Sequence, residues 1–294
     1  MSSTYITDIK KKSFSNESLE LLDLLKDKYH YDFSGYAIAS FERRIQNAVK
    51  ESGFQTISEL TQKLKTTPSY LQNFISSITV NVTEMFREPS CWKYVRSTVI
   101  PNLLKENESI NIWHAGCSSG EEVFSTAIIL QELGIAHKVQ ILATDIDLNI
   151  LNVAKSGMIK KSNFDLYNKN YILSGGNKSS LSFYTTFEDT HYTLHPEILK
   201  KTVFQQHNLT SKNTIGKFDL IFCRNVLIYF ENALQNHLLQ TFYNSANENA
   251  RLIIGMNELL ICLENSPLFL MENYEEKTYF KRPFSLPLQV KKDL

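Results

Sequence analysis

A strand-to-helix turn that contains two glycines is the feature of this sequence that most constrains its fold. The β-favouring run Ile110 to Trp113 is followed by Gly116 and Gly120 and then by an apolar segment with helical periodicity, Val123 to Leu133. Glycines at such a turn let the backbone bend sharply and let a ligand approach without a Cβ in the way. The pattern therefore predicts a strand, a turn and a helix, with a ligand bound at the turn.

The residues that open this helix indicate the kind of ligand. Glu121 and Glu122 are favourable at the positive end of a helix but would repel a phosphate bound there. The spacing Gly-x-x-x-Gly also matches neither the dinucleotide fingerprint nor the phosphate-binding loop. A small cationic ligand fits better, and S-adenosylmethionine carries an ammonium and a sulfonium. The alternative is a tight turn without a ligand, in which the two glutamates only favour the helix.

The composition is that of an ordinary globular protein. The chain has 294 residues, of which 43% are hydrophobic, so it can bury a large core and is expected to form two domains. Basic and acidic residues balance at 31 each, so no overall field favours nucleic acid or an anionic membrane. The four cysteines include no C-x-x-C pair, which makes a metal site unexpected and a reduced compartment expected. No apolar run suggests a signal peptide or membrane insertion, so we expect a cytoplasmic protein.

The first part of the chain is predicted to be helical. Residues 1–15 are polar and are expected to be mobile, whereas residues 16–90 carry apolar side chains at steps of three and four and predict a helical domain. Arg43 and Arg44 lie on a polar side of its second helix. They form either a solvated face or a docking surface for an acidic helical partner.

A polar segment follows at the expected junction of the domains. Asn81 and Thr83 alternate with Val80 and Val82, so we expect the valines to face the core and the polar pair to face the other way. Arg87 comes a few residues later. Ligand sites often lie at such junctions.

Residues 91–294 alternate between strands and helices, which predicts an α/β domain with a doubly wound, mostly parallel sheet. Residues of about 170–205 interrupt this rhythm and predict a small antiparallel β insertion. Asp145 ends the second strand, about 25 positions after the glycine turn, where an acid can accept hydrogen bonds from a ribose. Its alternative role is to cap the next helix. Arg224 and Asn225 follow a buried strand and are expected to line a site.

Five motifs in a fixed order carry a family resemblance. They are Asn81-x-Thr83-x-x-Phe86-Arg87, Ala115 to Glu122, Ala143 to Asp147, Asn208-Leu209 and Cys223 to Phe230. With them, the chain resembles the CheR-type chemotaxis receptor methyltransferases over about residues 20–282. The resemblance implies a class I S-adenosylmethionine-dependent methyltransferase fold with a helical N-terminal domain and a small β subdomain. It also implies esterification of glutamate side chains on the cytoplasmic helices of methyl-accepting chemotaxis proteins.

The resemblance further implies roles for individual residues. The cofactor, S-adenosylmethionine or its product S-adenosylhomocysteine, would contact nine residues, and the turn glycine joins them as a tenth: Asn81, Thr83, Arg87, Gly116, Glu121, Asp145, Asn208, Leu209, Arg224 and Asn225. Glu121 would pair with the ammonium, Asp145 would hold the ribose and Asn208 would serve the adenine side. Arg87 and Tyr229 would be the catalytic residues that orient the acceptor carboxylate, and Arg43 and Arg44 would dock the receptor.

The sequence departs from the family pattern at His114, Met85, Met158 and Asn257, which bear on the shape of the acceptor pocket. His114 is either a satisfied buried histidine or a group that titrates near the cofactor. Two other functions stay open, a CheR-like scaffold or sensor without turnover and a methyltransferase for a small carboxylic acid. We expect a monomer.

Overall fold

The computed structural model describes residues 14–211, 215–260 and 268–283, which fall into two compact units. The helical unit contains the chain up to Val80 together with Ile228–Gln235, and the sheet unit contains Asn81–Leu227 and the chain from Asn236 onward. The sequence predicted a boundary near residue 90. The boundary lies earlier because Met85 and Phe86 are fully buried in the core of the sheet unit.

Four helices form most of the helical unit: α1 (Asn16–Tyr29), α2 (Ile38–Glu51), α3 (Ile57–Thr66) and α4 (Leu71–Ile78). Ser15 begins α1, because its hydroxyl accepts a hydrogen bond from the Ser18 N–H and so satisfies a free donor at the helix end. Helix α2 buries Phe41, Ile45 and Val49 at helical spacing. Residues 1–13 of the expected mobile N-terminus lie outside the described residues.

The segment Ile228–Gln235 packs with the helical unit, although it lies about 150 positions after α4 in the sequence. The Ala37 N–H donates to the Tyr229 carbonyl at 3.0 Å, and the Glu231 N–H donates to the Gly35 carbonyl at 2.9 Å. The Phe230 ring meets the Tyr36 ring edge-on, with the centroids 4.8 Å apart. The helical unit is therefore discontinuous in sequence.

The described residues of the sheet unit form ten strands and six α-helices. The strands are β1 (Ile110–Ala115), β2 (Val139–Asp145), β3 (Met158–Lys160), β4 (Thr185–Glu188), β5 (His191–Leu194), β6 (Thr202–Gln206), β7 (Phe218–Cys223), β8 (Ala246–Ile254), β9 (Phe269–Asn273) and β10 (Thr278–Lys281). The helices are α5 (Pro89–Tyr94), α6 (Ile100–Glu106), α7 (Glu121–Glu132), α8 (Leu148–Ser156), α9 (Lys161–Leu173) and α10 (Asn232–Ser245), the last of which starts in the helical unit.

Seven strands form one sheet in the order β6-β2-β1-β7-β8-β10-β9. The first five are parallel, and β10 runs antiparallel to both of its neighbours. Every residue of β7 is buried, as expected for a strand covered on both faces of a parallel sheet. The structure confirms the predicted doubly wound, mostly parallel fold. Its strand order changes direction between β1 and β7, which is where ligands bind in such sheets.

Strands β3, β5 and β4 form a separate antiparallel sheet, which confirms the small β insertion. It begins at Met158 rather than near residue 170. Leu181–Tyr184 is a short 3-10 helix instead of a strand, because the Ser180 hydroxyl accepts from the Ser182 N–H and favours a turn.

The prediction that Val80 and Val82 face the core is wrong. Their side chains are 38% and 74% exposed. The polar neighbours face the protein instead, since the Asn81 side chain donates to Asp147 at 3.2 Å. Alternation alone identified the two faces of the segment but not which face is buried.

Replacement of Phe230 tests whether its segment stabilises the helical unit. We expect Phe230→Ala to lower the free energy of unfolding by about 3 kcal/mol, because a buried ring would leave a cavity beside Tyr36. Ile228→Ala is the control, since that side chain is 49% exposed and its loss should cost less than about 0.5 kcal/mol. Urea unfolding followed by helical circular dichroism measures both. Equal effects of the two variants would contradict the packing role of Phe230.

Candidate active site

The carboxyl ends of four parallel strands bring most of the predicted cofactor residues to one edge of the sheet. Gly116 follows β1, Asp145 ends β2, Asn208 lies two residues after β6, and Arg224 follows β7 directly. These strands are neighbours in the order β6-β2-β1-β7. Residues 16 to 108 positions apart in the sequence therefore lie at a common edge of the sheet.

The turn after β1 is anchored on the neighbouring strand. The N–H groups of Gly116 and Cys117 both donate to the Thr144 carbonyl at 2.9 Å. Gly116 has a φ of +80°, and a Cβ there would lie 2.7 Å from a methyl group of Val226. Gly120, which precedes α7, has a φ of +96°. Both glycines are thus required by backbone conformation, as the sequence predicted.

Glu121 is a buried carboxylate that makes no direct ion pair among the described residues, although the Lys160 charge acts on it from farther away. It is the first residue of α7, is 8% exposed, and accepts a hydrogen bond from the Ser119 hydroxyl at 2.6 Å. Burial raises its pKa above the usual range for glutamate. Within the described part of the chain it makes no ion pair. A cationic group bound here would supply the missing charge.

The next residue, Glu122, is in the opposite situation. Its carboxylate accepts from an Arg224 Nη at 2.9 Å and is joined to His114 Nδ1 at 3.1 Å. Burial opposes its ionisation most strongly, but the Arg224 charge and the His114 hydrogen bond outweigh burial, so its pKa lies below the usual range. Two adjacent acids therefore have different functions, one free to bind a ligand and one part of the protein framework.

Asp145 lies beside the turn. Its two carboxylate oxygens accept from the Ser118 N–H at 2.8 Å and from the Asp147 N–H at 3.0 Å, and the residue is 9% exposed. Burial raises its pKa despite these hydrogen bonds. Asp147, not Asp145, caps α8, because its side chain accepts from the Asn149 and Ile150 N–H groups. The alternative capping role of Asp145 is thereby removed.

Asn208 and Leu209 follow the edge strand β6. The Asn208 side-chain oxygen accepts from the Thr210 N–H at 3.0 Å and from the Thr210 hydroxyl at 2.9 Å, which fixes the amide. The His207 N–H donates to the Asp145 carbonyl at 2.9 Å and ties this segment to the end of β2. Leu209 is buried. The pair follows His207, which is tied to the end of β2, and its adenine-binding role stays a prediction.

Arg87 sits in a strained turn. Phe86 and Glu88 on either side have φ values of +52° and +59°, a conformation that costs residues other than glycine about 1–2 kcal/mol. The Arg87 carbonyl accepts from Trp92 Nε1 at 2.9 Å and from an Arg224 Nη at 3.1 Å. Its guanidinium, in contrast, has no hydrogen-bond or ion-pair partner among the described residues. The Arg87 backbone is therefore fixed by two hydrogen bonds, whereas its guanidinium can still bind another group.

The structure places the Arg224 side chain inside the protein. It is 1% exposed and donates to Glu88 at 2.6 Å as well as to Glu122 and the Arg87 carbonyl. Its pKa is raised: burial opposes the charge, but the neighbouring anionic groups favour it. Asn225 has a φ of +60°, and its N–H donates to Glu258 at 2.8 Å. The Arg224 side chain is therefore buried and fully engaged with protein groups, and the cofactor contact that the resemblance assigns to this residue stays a prediction.

Sequence reasoning missed this buried charge cluster, which we call the Arg224 cluster and which consists of Arg224, Glu88, Glu122 and His114. An arginine at the end of a wholly apolar strand is a sign that carboxylates must pair with it. The sequence does not show which ones. His114 is confirmed as a satisfied buried histidine, since it also bonds Thr126 at 3.1 Å and stacks on Phe222 at 4.5 Å.

The remaining predicted residues belong to other surroundings. Tyr229 lies in the helical unit, where the Arg44 guanidinium stacks over its ring at 4.5 Å. Arg44 also donates to the Ile78 carbonyl at 3.2 Å, and burial lowers its pKa. Arg43 is exposed. Of the predicted docking pair, Arg43 therefore faces solvent, whereas Arg44 supports Tyr229.

Thr83, another predicted cofactor residue, is held through its backbone. Its carbonyl accepts a hydrogen bond from the Tyr167 hydroxyl at 3.2 Å.

The described residues fit the cofactor that the sequence suggested. A buried carboxylate with no ion-pair partner among the described residues suits an ammonium, and a second buried acid beside the turn suits a ribose. No group of three or more potential metal ligands occurs in the described parts of the chain. No described helix is both long and apolar enough to cross a bilayer.

The fold and this edge of the sheet define a class I S-adenosylmethionine-dependent methyltransferase. Residues 81–275 match the S-adenosylmethionine-binding domain of CheR methyltransferases, and residues 17–79 match their all-alpha domain. The chain therefore belongs to the CheR methyltransferase family.

Relatives with established names support this membership. The chain is 35% identical to Cher3 of Pseudomonas putida, over 81% of this chain and 86% of that protein. It is 30% identical to a chemotaxis protein methyltransferase of Borreliella burgdorferi, over 89% of this chain and 94% of that protein. A third relative, a chemotaxis protein methyltransferase of Listeria innocua, is 32% identical over 83% of this chain and 90% of its own length.

The two adjacent glutamates give a paired prediction. Glu121→Gln should stabilise the ligand-free protein at pH 7, because a raised pKa means that folding disfavours the ionised form. This gain should shrink as the pH falls through the folded pKa of Glu121. Glu122→Gln should cost about 3 kcal/mol at pH 7, because it breaks a buried ion pair, and the cost should decrease only below about pH 4.3.

Thermal unfolding from about pH 3 to about pH 8, which brackets the unfolded glutamate pKa of about 4.3, measures both effects on stability, and calorimetric titration of S-adenosylhomocysteine measures binding. Glu121→Gln should weaken binding of this product at least about tenfold, because a buried charge pair is lost. Unchanged affinity together with lower stability would contradict the role of Glu121.

Proposed function

We propose that this protein transfers the methyl group of S-adenosylmethionine to glutamate side chains on the cytoplasmic helices of methyl-accepting chemotaxis proteins, forming methyl esters. The family membership and the relatives named as chemotaxis protein methyltransferases support the chemotaxis role. The carboxylate acceptor is supported by one observation above all. The Arg87 guanidinium has no hydrogen-bond or ion-pair partner among the residues that the structure describes, and the backbone that carries it is held by Trp92 and Arg224.

The chemistry of this reaction matches what the chain provides. When bound, S-adenosylmethionine supplies a methyl group activated by the positive sulfur, which keeps the electron pair of the broken carbon–sulfur bond. An unperturbed glutamate titrates at about 4.3, so the acceptor is already ionised at pH 7 and the chain need not remove a proton. The residues have to bind, align and exclude water. Alignment of this kind is worth about 7 kcal/mol or more.

Each residue has a definite task under this proposal. Glu121 binds the ammonium of the donor and Asp145 its ribose hydroxyls, and Asn208 and Leu209 border the adenine. Arg87 orients the acceptor carboxylate through charge-assisted hydrogen bonds, which are the strong ones for a planar guanidinium. The Arg44 guanidinium stacks over the Tyr229 ring, and the catalytic role of Tyr229 stays a prediction from the family resemblance.

The Arg87→Ala variant tests whether Arg87 orients the acceptor carboxylate. We expect Arg87→Ala to lower the methylation rate by about 30-fold or more, since hydrogen bonds to a charged group contribute about 1.5–3 kcal/mol. The dissociation constant of S-adenosylhomocysteine should change by less than about threefold. Labelled S-adenosylmethionine and receptor-rich membranes, with release of the methyl group by base, measure the rate. Equal losses of rate and affinity would remove the substrate role of Arg87.

The wild-type protein in the same assay separates the proposed function from the scaffold alternative. Base-labile methyl transfer to receptors supports the proposal. Cofactor binding without transfer would instead support a scaffold or sensor.

Arg43 tests how the receptor docks. It is exposed on α2, and we propose that it contacts acidic receptor helices. Arg43→Glu should reduce receptor methylation several-fold and should do so less at high salt, because exposed charges are screened. Lys155→Glu, an equal charge change at an exposed position of α8, is the matched control. If both variants methylate receptors as the wild type does, or if free small carboxylic acids are the better acceptors, docking by Arg43 is wrong.

A further inference from the structure

The start of α7 carries Glu121, the proposed ligand of the donor, and is also hydrogen-bonded to the turn that carries Arg87. Glu121 begins the helix, and its carbonyl accepts from the Ser125 hydroxyl at 2.8 Å. The same hydroxyl accepts from the Phe86 N–H at 2.8 Å. A single serine therefore joins the backbone of the donor site to the residue before Arg87.

The Arg224 cluster makes a second connection between the same two places. Glu122, next to Glu121, binds one Arg224 Nη at 2.9 Å, and the other Nη donates to the Arg87 carbonyl at 3.1 Å and to Glu88 at 2.6 Å. Arg224 is thus the bridge from α7 to the residues on the C-terminal side of the turn. The two connections hold the turn from both sides.

The turn needs such support because its backbone is strained. The two non-glycine residues on either side of Arg87, Phe86 and Glu88, have positive φ values, and conformations of this kind persist only where the surroundings fix them. Trp92 Nε1 and Arg224 donate to one carbonyl, and without Arg224 one of these two anchors would be lost. The position of the Arg87 side chain depends on this backbone.

We infer that Arg224, through Glu122, is a positioning residue that sets the location of the Arg87 guanidinium relative to the donor held by Glu121. This inference rests on the proposed function, because it takes Arg87 as the group that orients the acceptor carboxylate. A methyl transfer is an in-line displacement, so a displacement of the acceptor by about 1 Å costs about 100-fold in rate. Arg224 contributes to catalysis through Arg87 without contacting the acceptor.

Arg224→Lys is the informative variant. Lysine keeps the charge but presents a single ammonium, which cannot span two carboxylates and a carbonyl as a guanidinium does. We expect kcat/KM for receptor methylation to fall about 100-fold while the dissociation constant of S-adenosylhomocysteine changes less than about threefold. Glu122→Gln, which keeps the size of the side chain, should have the same pattern and serves if Arg224→Lys folds poorly.

A double-mutant cycle separates positioning from general destabilisation. In the Arg87→Ala background, Arg224→Lys should lower kcat/KM less than about threefold, because its effect acts through Arg87. Arg96→Lys is the matched control, since Arg96 is also a buried arginine of the sheet unit that pairs with a carboxylate, Glu132. That variant should leave receptor methylation within about threefold of wild type. Equal effects of Arg224→Lys in both backgrounds would overturn the inference.

A readout that does not depend on activity comes from the two tryptophans. The Trp92 indole N–H donates to the Arg87 carbonyl, whereas the Trp113 indole N–H donates to the Thr144 hydroxyl, both at 2.9 Å. In Arg224→Lys, hydrogen exchange of the Trp92 indole should accelerate at least about tenfold, with Trp113 unchanged. Unchanged exchange at both indoles would overturn the inference even if activity falls. A wild-type protein that methylates no receptor would instead overturn the proposed function, whatever the exchange rates.

Discussion

The buried charge of Arg224 constrains much of the site. An isolated guanidinium inside a protein is very costly, and this one lies at the end of a strand whose every residue is buried. The chain satisfies it with Glu122 from α7 and Glu88 from the Arg87 turn. These two carboxylates come from elements on either side of β1 in the sequence, so pairing them with Arg224 fixes three separate segments together. The relative positions of the start of α7 and the Arg87 turn follow from this requirement.

Glu121 and Glu122 lie at the same helix terminus, but their pKa values are shifted in opposite directions. The positive end of α7 favours both Glu121 and Glu122, but helical geometry directs their side chains to different neighbours. Glu122 is neutralised by the protein, and Glu121 stays without a counter-charge in a buried position. The fold therefore keeps Glu121 in surroundings that disfavour its ionisation.

Much of this architecture was predictable from sequence, because it depends on local patterns. The apolar run of β7, the glycines at 116 and 120, and Asp145 at the end of β2 all lie where periodicity and turn chemistry placed them. The Arg224 cluster was not predictable, since its partners are 102 and 136 residues away and nothing local identifies them. The exposed face of Val82 was missed for a related reason. Alternation gives two faces, and only tertiary contacts decide which one is buried.

The discontinuity of the helical unit limits how this protein can be divided. A fragment that ends at residue 80 would contain all of α1 to α4 but would lack Ile228–Gln235, and so would uncover the Tyr36 ring and the backbone groups of Gly35 and Ala37. Cleavage or truncation of the chain after residue 80 would therefore yield a fragment in which the Tyr36 ring and these backbone groups lack their partners. To separate the two units without losing these contacts, the chain would have to be circularly permuted, or a copy of Ile228–Gln235 would have to be fused to the N-terminal fragment.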